Sequence, residues 1–447
     1  MSAAVAEQSA GRAALVLLSV AQALASAAAG VAITVASPTA AAIGGSDALA
    51  GWGQSATIAG AAGLSVPVAR VAARHGRAVS LTMAFGVAAG GALLAAGAAA
   101  CSVLVVFLLG LAAVGAGTVA ALALRYAAVD VSPTPAGRVR FLGIVLACAT
   151  VGSLVGPQLA TATRAAGVAA APYLVIAGLY GAAAGAAVAA GAVAASLRAG
   201  TAGMAAVRPK SIADVESLQE DDRDETAGAS PPESDRTMIA RAPLMAPILT
   251  MTAGQMAMVA LMGMAPVHLD HDGAGATAVG WVMSAHLAAM YIASPLFAGV
   301  VRRAGAVRSG VAALVFATLA CGVLILTRGD VFGFGAGLAL LGLAWSLGMV
   351  ASSSALAQVA GRDRLRAQGW GDLALNVGGG ASSLLAGLAM SFVGYERLAV
   401  MVAAGLMVAA LTVWGISSRR FSVVRRLQVR PHRPAHEDVT EAGSPGR

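Results

Sequence analysis

Charge is what this sequence has least of. Asp, Glu, Lys and Arg make up 11% of its 447 residues, against roughly 25% in a soluble globular domain. So few charges cannot cover the surface of a water-soluble fold of this size, which excludes a soluble enzyme. A disordered chain is excluded by the 58% of hydrophobic residues. Cysteine is scarce: Cys101, Cys148 and Cys321 are far apart, sit in apolar runs and form no CxxC. Neither a disulfide framework nor a zinc site follows. Lysine is nearly absent, with Lys210 the one Lys among 29 basic residues. No GxxxxGK[ST] is present, so ATP is not expected to drive whatever the protein does. The net charge of +8 reads as basic cytoplasmic loops rather than as a nucleic-acid surface.

What is present is apolar sequence in lengths near 20 residues, the length of helix that crosses a bilayer core of about 30 Å. Twelve such stretches fall at 13–36, 51–69, 79–98, 101–124, 141–162, 171–195, 243–265, 278–300, 309–327, 331–357, 372–393 and 397–416. The expected fold is all-α, twelve transmembrane helices in two pseudo-symmetric six-helix bundles. Residues 1–196 form the first bundle and 242–417 the second. Between them, 197–241 is an acidic, Pro-containing stretch that reads as a flexible cytoplasmic linker. Residues 418–447 form a basic cytoplasmic tail, read as a contact for anionic lipid. The first apolar run is too long for the apolar region of a signal peptide and reads as the first span.

Orientation follows from arginine. With the N-terminus in the cytoplasm, only Arg164, Arg328 and Arg397 of the 29 basic residues fall outside. The positive-inside rule therefore places both termini in the cytoplasm and the chain in the cytoplasmic membrane. The expected surroundings are a lipid bilayer and a small substrate or metal ion, with no nucleic acid, no resident cofactor and no second copy.

The two halves repeat a signal. Arg74-His75-Gly76-Arg77 follows the second span, and Arg303-Ala304-Gly305 follows the eighth. Two related six-helix halves are the build of many secondary transporters, with the substrate site between them near mid-membrane. On these residues the sequence resembles the major facilitator superfamily over nearly its whole length. That resemblance implies a Gly-x-x-x-Asp-Arg-x-Gly-Arg loop between spans two and three. Arg74, Gly76 and Arg77 match it, while Ala69 and Ala73 stand at its Gly and Asp positions and Arg302 at the second-half Asp position. Gly152-x-x-x-Gly156-Pro157 in span five resembles the superfamily's antiporter-type Gly-Pro motif. Read as residues alone, the same pattern also fits ordinary close helix packing and a bend.

Polar groups inside the membrane are costly and mark candidate sites. The first half offers Gln22 and Gln158 but no acid or base within a span. The second half has eight methionines between Met245 and Met290. At 100° per residue, Met251, Gln255, Met258 and Met262 fall within about 60° of one another, and Met283, His286 and Met290 share a face of span eight. Thioethers with one imidazole suit a soft cation, Cu(I) first. Methionine also fills cores and lines adaptable cavities, and a lone histidine also serves as a proton relay or helix contact.

Met258-x-x-x-Met262 followed by His286-x-x-x-Met290 resembles the CcoA-like copper importers of the superfamily. The resemblance implies that Met258, Met262, His286 and Met290 handle a transported copper ion. Met251, Gln255, Met283, Asp372 and Asn376 are further cavity candidates. Asp372 reads either as a gating group or as a helix N-cap at the membrane surface. His268-Leu269-Asp270-His271-Asp272 reads as an outer loop, either solvated or metal-collecting. Two other functions stay open: a proton-coupled exporter of hydrophobic small molecules, and a membrane sensor or assembly factor on the same fold.

Overall fold

In a computed structural model, the described residues are 2–130, 135–205, 233–327, 329–357 and 362–428, with side chains described for most of them. Inside a bilayer every backbone amide must be paired within the protein, which favours helices throughout. Twelve helices follow in order: α1 Ser2–Gly44, α2 Ala50–His75, α3 Arg77–Ala100, α4 Leu104–Asp130, α5 Pro135–Ala165, α6 Ala171–Ala205, α7 Glu233–His271, α8 Ala276–Ile292, α9 Ser294–Ala304, α10 Ala306–Leu326, α11 Val331–Ala357 and α12 Arg362–Gln428. A short 3-10 turn, Asp47–Leu49, links α1 to α2.

Two of these elements depart from one helix per expected span. The eighth span is broken, with α8 and α9 meeting at 45°. Pro295 sits at the start of α9, where its missing N–H and ring end the α8 hydrogen-bond ladder. Conversely, α12 holds two spans, 362–393 and 395–428, joined at Gly394 with φ 77 and ψ 171. Its helix runs on to Gln428, into residues read from sequence as tail. Most of the expected linker (206–232) and the last tail residues (429–447) lie outside the described residues.

The repeat is written in the turns. Positive φ occurs at Gly45, Gly76, Ser102 and Gly167 in the first half, and at Gly273, Gly305, Gly329 and Gly394 in the second. These mark the same four turns in each half. The second pair matches closely: Gly76 has φ 86 and ψ 164, and Gly305 has φ 86 and ψ 150. Each donates its N–H to the carbonyl four residues back, Ala72 and Val301. Each carbonyl accepts from a serine four residues on, Ser80 and Ser309. Only glycine adopts that backbone conformation without strain.

Each half has its own apolar core. One joins buried residues from Leu15 to Ala190; the other joins residues from Ala246 to Val413, with Ala50 reaching in from α2. Small residues set the spacing within the first half. Gly152 and Gly156 of α5 lie on α1, where a Cβ at Gly156 would stand 2.5 Å from the Ala27 oxygen and 2.8 Å from Gly30 Cα. The Gly152-Gly156-Pro157 segment thus forms the close α1–α5 crossing.

Candidate functional site

The boundary between halves is built from α5 with α8 and from α2 with the first arm of α12. Its contacts are backbone-close. A Cβ on Gly387 would meet the Gly51 nitrogen at 2.7 Å, and one on Gly51 would run into the Ser383 carbonyl. Ser383 Oγ donates to the Gly51 oxygen at 2.9 Å, and Ser55 Oγ donates to the Gly380 oxygen at 2.7 Å. On the other side, Gln158 Nε2 donates to Ser284 Oγ at 3.2 Å, and Ser284 Oγ donates to the Leu154 oxygen at 2.8 Å. Along α2, the buried residues Ala50, Gly51, Gly53 and Ser55 cluster at the end remote from the chain termini. This distal end is closed.

Two side-chain contacts cross the same end. Arg164, in the last turn of α5, meets Asp270 of α7 at 2.6 Å. His271 Nε2 stands 3.6 Å from Asp47 Oδ1 in the α1–α2 link. Residues 268–271 are the last turn of α7 rather than a loop. The hydrogen bonds of the helix continue there because chain reversal is deferred to Gly273, with φ 74. Asp270 is engaged by Arg164 and His271 lies by Asp47, while His268 pairs with Asp272 at 3.5 Å. Their partners differ, and among the described residues no three His, Cys, Asp or Glu side chains gather into a metal-binding group.

The methionine and histidine candidates are placed by α11. His286 is fully buried, and its Nδ1 lies 2.6 Å from the Leu338 oxygen. A carbonyl only accepts, so Nδ1 carries the proton and Nε2 presents a lone pair. That Nε2 is buried without a hydrogen-bond partner among the described residues. Gly342 permits the close approach: a Cβ there would stand 2.7 Å from the His286 oxygen and 3.2 Å from Met290 Cγ. Three residues further along α11, Trp345 Nε1 donates to Gln255 Oε1 of α7 at 2.8 Å. Leu338, Gly342 and Trp345 share one face of α11 at helical spacing. The α7 and α8 faces read from sequence are therefore linked through α11.

Met258, Met262, Met283 and Met290 all belong to the buried core of the second half. Ser284 faces α5, and His286 lies about 200° around α8 from it. His286 thus points into its own bundle, away from the first half. Met251 falls in a separate small cluster with Leu356, with its Sδ 3.2 Å from where a Gly371 Cβ would be. Asp372 is ten residues inside α12, which begins at Arg362, so the N-cap reading is corrected. Asn376 Nδ2 donates to the Asp372 backbone oxygen at 2.8 Å. Arg74 and Gly76 end α2, Arg77 opens α3, and Arg303 and Gly305 end α9, all at the terminal end of the molecule.

Sequence reasoning missed Arg164 as a partner, Trp345, and the Gly51–Gly387 approach. The one signal for Arg164 was its isolation as one of three arginines on the less basic side.

No family model matches the sequence. The chain is 27% identical over 394 residues to the uncharacterized MFS-type transporter YdeG of Bacillus subtilis (strain 168), covering 83% of this chain and 84% of that one. It is 29% identical over 184 residues to the uncharacterized MFS-type transporter YddS of the same organism, covering 38% and 40%. Among solved structures it is similar to a bacterial homolog of the human lysosomal transporter Spinster in an inward-facing, unoccupied conformation. There the TM-score is 0.65 and the identity 15%, over 92% of this chain and 97% of that one. The occupied inward-facing form of that homolog aligns with a TM-score of 0.66 at 14% identity, over 90% and 96%. Over most of its length the chain is therefore similar in sequence to an MFS-type transporter and in fold to a solved bacterial transporter.

Proposed function

We propose that the protein is a secondary transporter whose two halves rock about a mid-membrane site, and that its cargo is a copper ion imported across the cytoplasmic membrane. The observation that carries the cargo assignment is His286. Its Nδ1 is fixed by the Leu338 carbonyl and its Nε2 lone pair is buried with no donor. Leaving such a group unsatisfied costs about 1–3 kcal/mol. A metal-binding imidazole commonly donates its other N–H to a carbonyl in this way, and the thioethers of Met258, Met262 and Met290 in the core of the same half are ligands that favour Cu(I).

In this reading Met258 and Met262 of α7 with His286 and Met290 of α8 hold the ion as a transported substrate. In the conformation described, His286 is sealed from solvent. Loading therefore requires α8 to move relative to α11. In this reading the closed distal end is the outer one, since the arginine pattern puts the termini in the cytoplasm.

Copper accumulation in cells expressing the wild type or Met258→Ala, Met262→Ala, His286→Ala and Met290→Ala tests the reading. Loss of uptake in variants that remain in the membrane is expected. Equal accumulation by all five forms sinks the copper assignment.

A second reading, export of hydrophobic small molecules, draws on the same burial. Met262 and Met283 are 2% and 0% exposed in an apolar core, as packing residues are. Drug susceptibility of the same strains separates the two: resistance conferred by the wild type and by all four variants supports the exporter.

A further inference from the structure

The two halves make the same glycine turn but do not complete it in the same way. Ser80 of α3 and Ser309 of α10 each stand four residues after the matched glycines, Gly76 and Gly305, and both are buried. Ser80 Oγ donates to the Val68 oxygen of α2 at 2.7 Å. Val68 stands eight residues before its glycine, and the residue eight before Gly305 is Phe297 of α9. Yet Ser309 Oγ is buried with no hydrogen-bond partner among the described residues. A buried hydroxyl ordinarily finds an acceptor, and a helix carbonyl has a second lone pair to offer it.

The break in span eight accounts for the missing bond. There α9 leaves the α8 axis by 45°. Proline permits that break without imposing it, because α2 carries Pro67 at nearly the same place and runs on as one helix. Val68 accordingly lies in the main core of the first half. Phe297 and Val301 instead pack in a small separate cluster with Ala313 of α10 and with Leu347 and Ala351 of α11. The root of α9 is held to α11, where Ser294 Oγ lies 2.9 Å from Ser346 Oγ.

We propose that α9 is an arm with two seats. It is bent onto α11 in the distal-closed state described, and it straightens along α8 in the distal-open state, where Ser309 Oγ donates to the Phe297 oxygen as Ser80 does to Val68. The arm rests on the alternation of the two halves proposed above and not on the identity of the cargo. The straight seat satisfies a buried donor that the bent seat leaves empty. One such bond is worth about two- to tenfold in the ratio of the two seats.

The test uses the full chain in lipid nanodiscs, with Cys101 and Cys148 replaced by alanine. Spin labels on Val300→Cys of α9 and Leu319→Cys of α10, both exposed, report the distance between the arm and α10. Gly387→Ala crowds the Gly51 nitrogen and so opens the distal end, which maleimide labelling of Ala50→Cys follows in a parallel sample. The expected result is a shorter label distance that appears in Gly387→Ala, falls about two- to tenfold in population when Ser309→Ala is added, and is unchanged by Ser80→Ala. In the otherwise native chain, Ser309→Ala removes a hydroxyl with no partner and is expected to melt no lower than the wild type, whereas Ser80→Ala melts lower. Labelling without the shorter distance, a shorter distance indifferent to Ser309→Ala, or Ser309→Ala melting as low as Ser80→Ala overturns the arm and leaves alternation standing. No labelling in any form, wild type included, overturns both.

Discussion

Arg164 of α5 and Asp270 of α7 join segments 106 residues apart across the boundary between halves, at 2.6 Å. Each side chain is about 30% exposed, so the tie is a modest one, up to about 1 kcal/mol. Asp270→Asn is expected to raise the rate at which an impermeant maleimide labels a cysteine placed at Ala50, buried under the distal seal, by up to about fivefold. The exchanged pair Arg164→Asp with Asp270→Arg is expected to bring the rate back toward wild type. An unchanged rate in Asp270→Asn removes the tie from the gating account.

The seal beneath that tie depends on two missing side chains. Gly387→Ala puts a methyl 2.7 Å from the Gly51 nitrogen, and Gly51→Ala drives one into the Ser383 carbonyl. Overpacking of this kind typically costs about 1–3 kcal/mol, here against the closed distal end alone. Both variants should reach the membrane, lose transport and label freely at Ala50→Cys from the distal side. Wild-type transport by either variant would show that the close approach is dispensable.

His286 separates a structural role from a ligand role by one substitution. Asn carries an amide N–H where Nδ1 stands, so His286→Asn can keep the bond to the Leu338 oxygen while removing Nε2. His286→Ala loses bond and volume together, and a drop in stability of about 2–4 kcal/mol is expected from the cavity and the lost partner. If Nε2 binds cargo, His286→Asn melts near the wild type yet fails in uptake. If the histidine only packs, His286→Asn restores both.

The matched turns predict matched costs. Gly76→Ala and Gly305→Ala each force an alanine into a backbone region that glycine alone occupies freely, at about 1–3 kcal/mol. Similar losses of thermal stability from the two substitutions are expected. A large loss from one and none from the other would break the equivalence of the turns.

The spans were legible because intramembrane backbone admits little but helix, and a run of 20 apolar residues states its own length. The break in span eight was legible in outline too, since Ser294-Pro295 stands in the sequence. Helical spacing also put Met283, His286 and Met290 on one face correctly. What spacing cannot supply is which neighbour that face meets. His286 turns to α11 rather than to the other half because Gly342 lets the two helices approach, and that is a property of a partner 56 positions away (342 − 286). The Arg164–Asp270 tie was hidden for the same reason: a pair made by folding leaves no local pattern, and Asp270 looked like one ligand in a cluster of four polar residues.

The glycine seal has a mechanical consequence. Where α2 meets α12 at Gly51 and Gly387, backbone rests on backbone. Such a contact behaves as a plain bearing: one surface can roll off the other without teeth having to disengage. The resistance to rocking then resides in a handful of polar links at the rim, and the pace of the cycle is set by how quickly those few links let go.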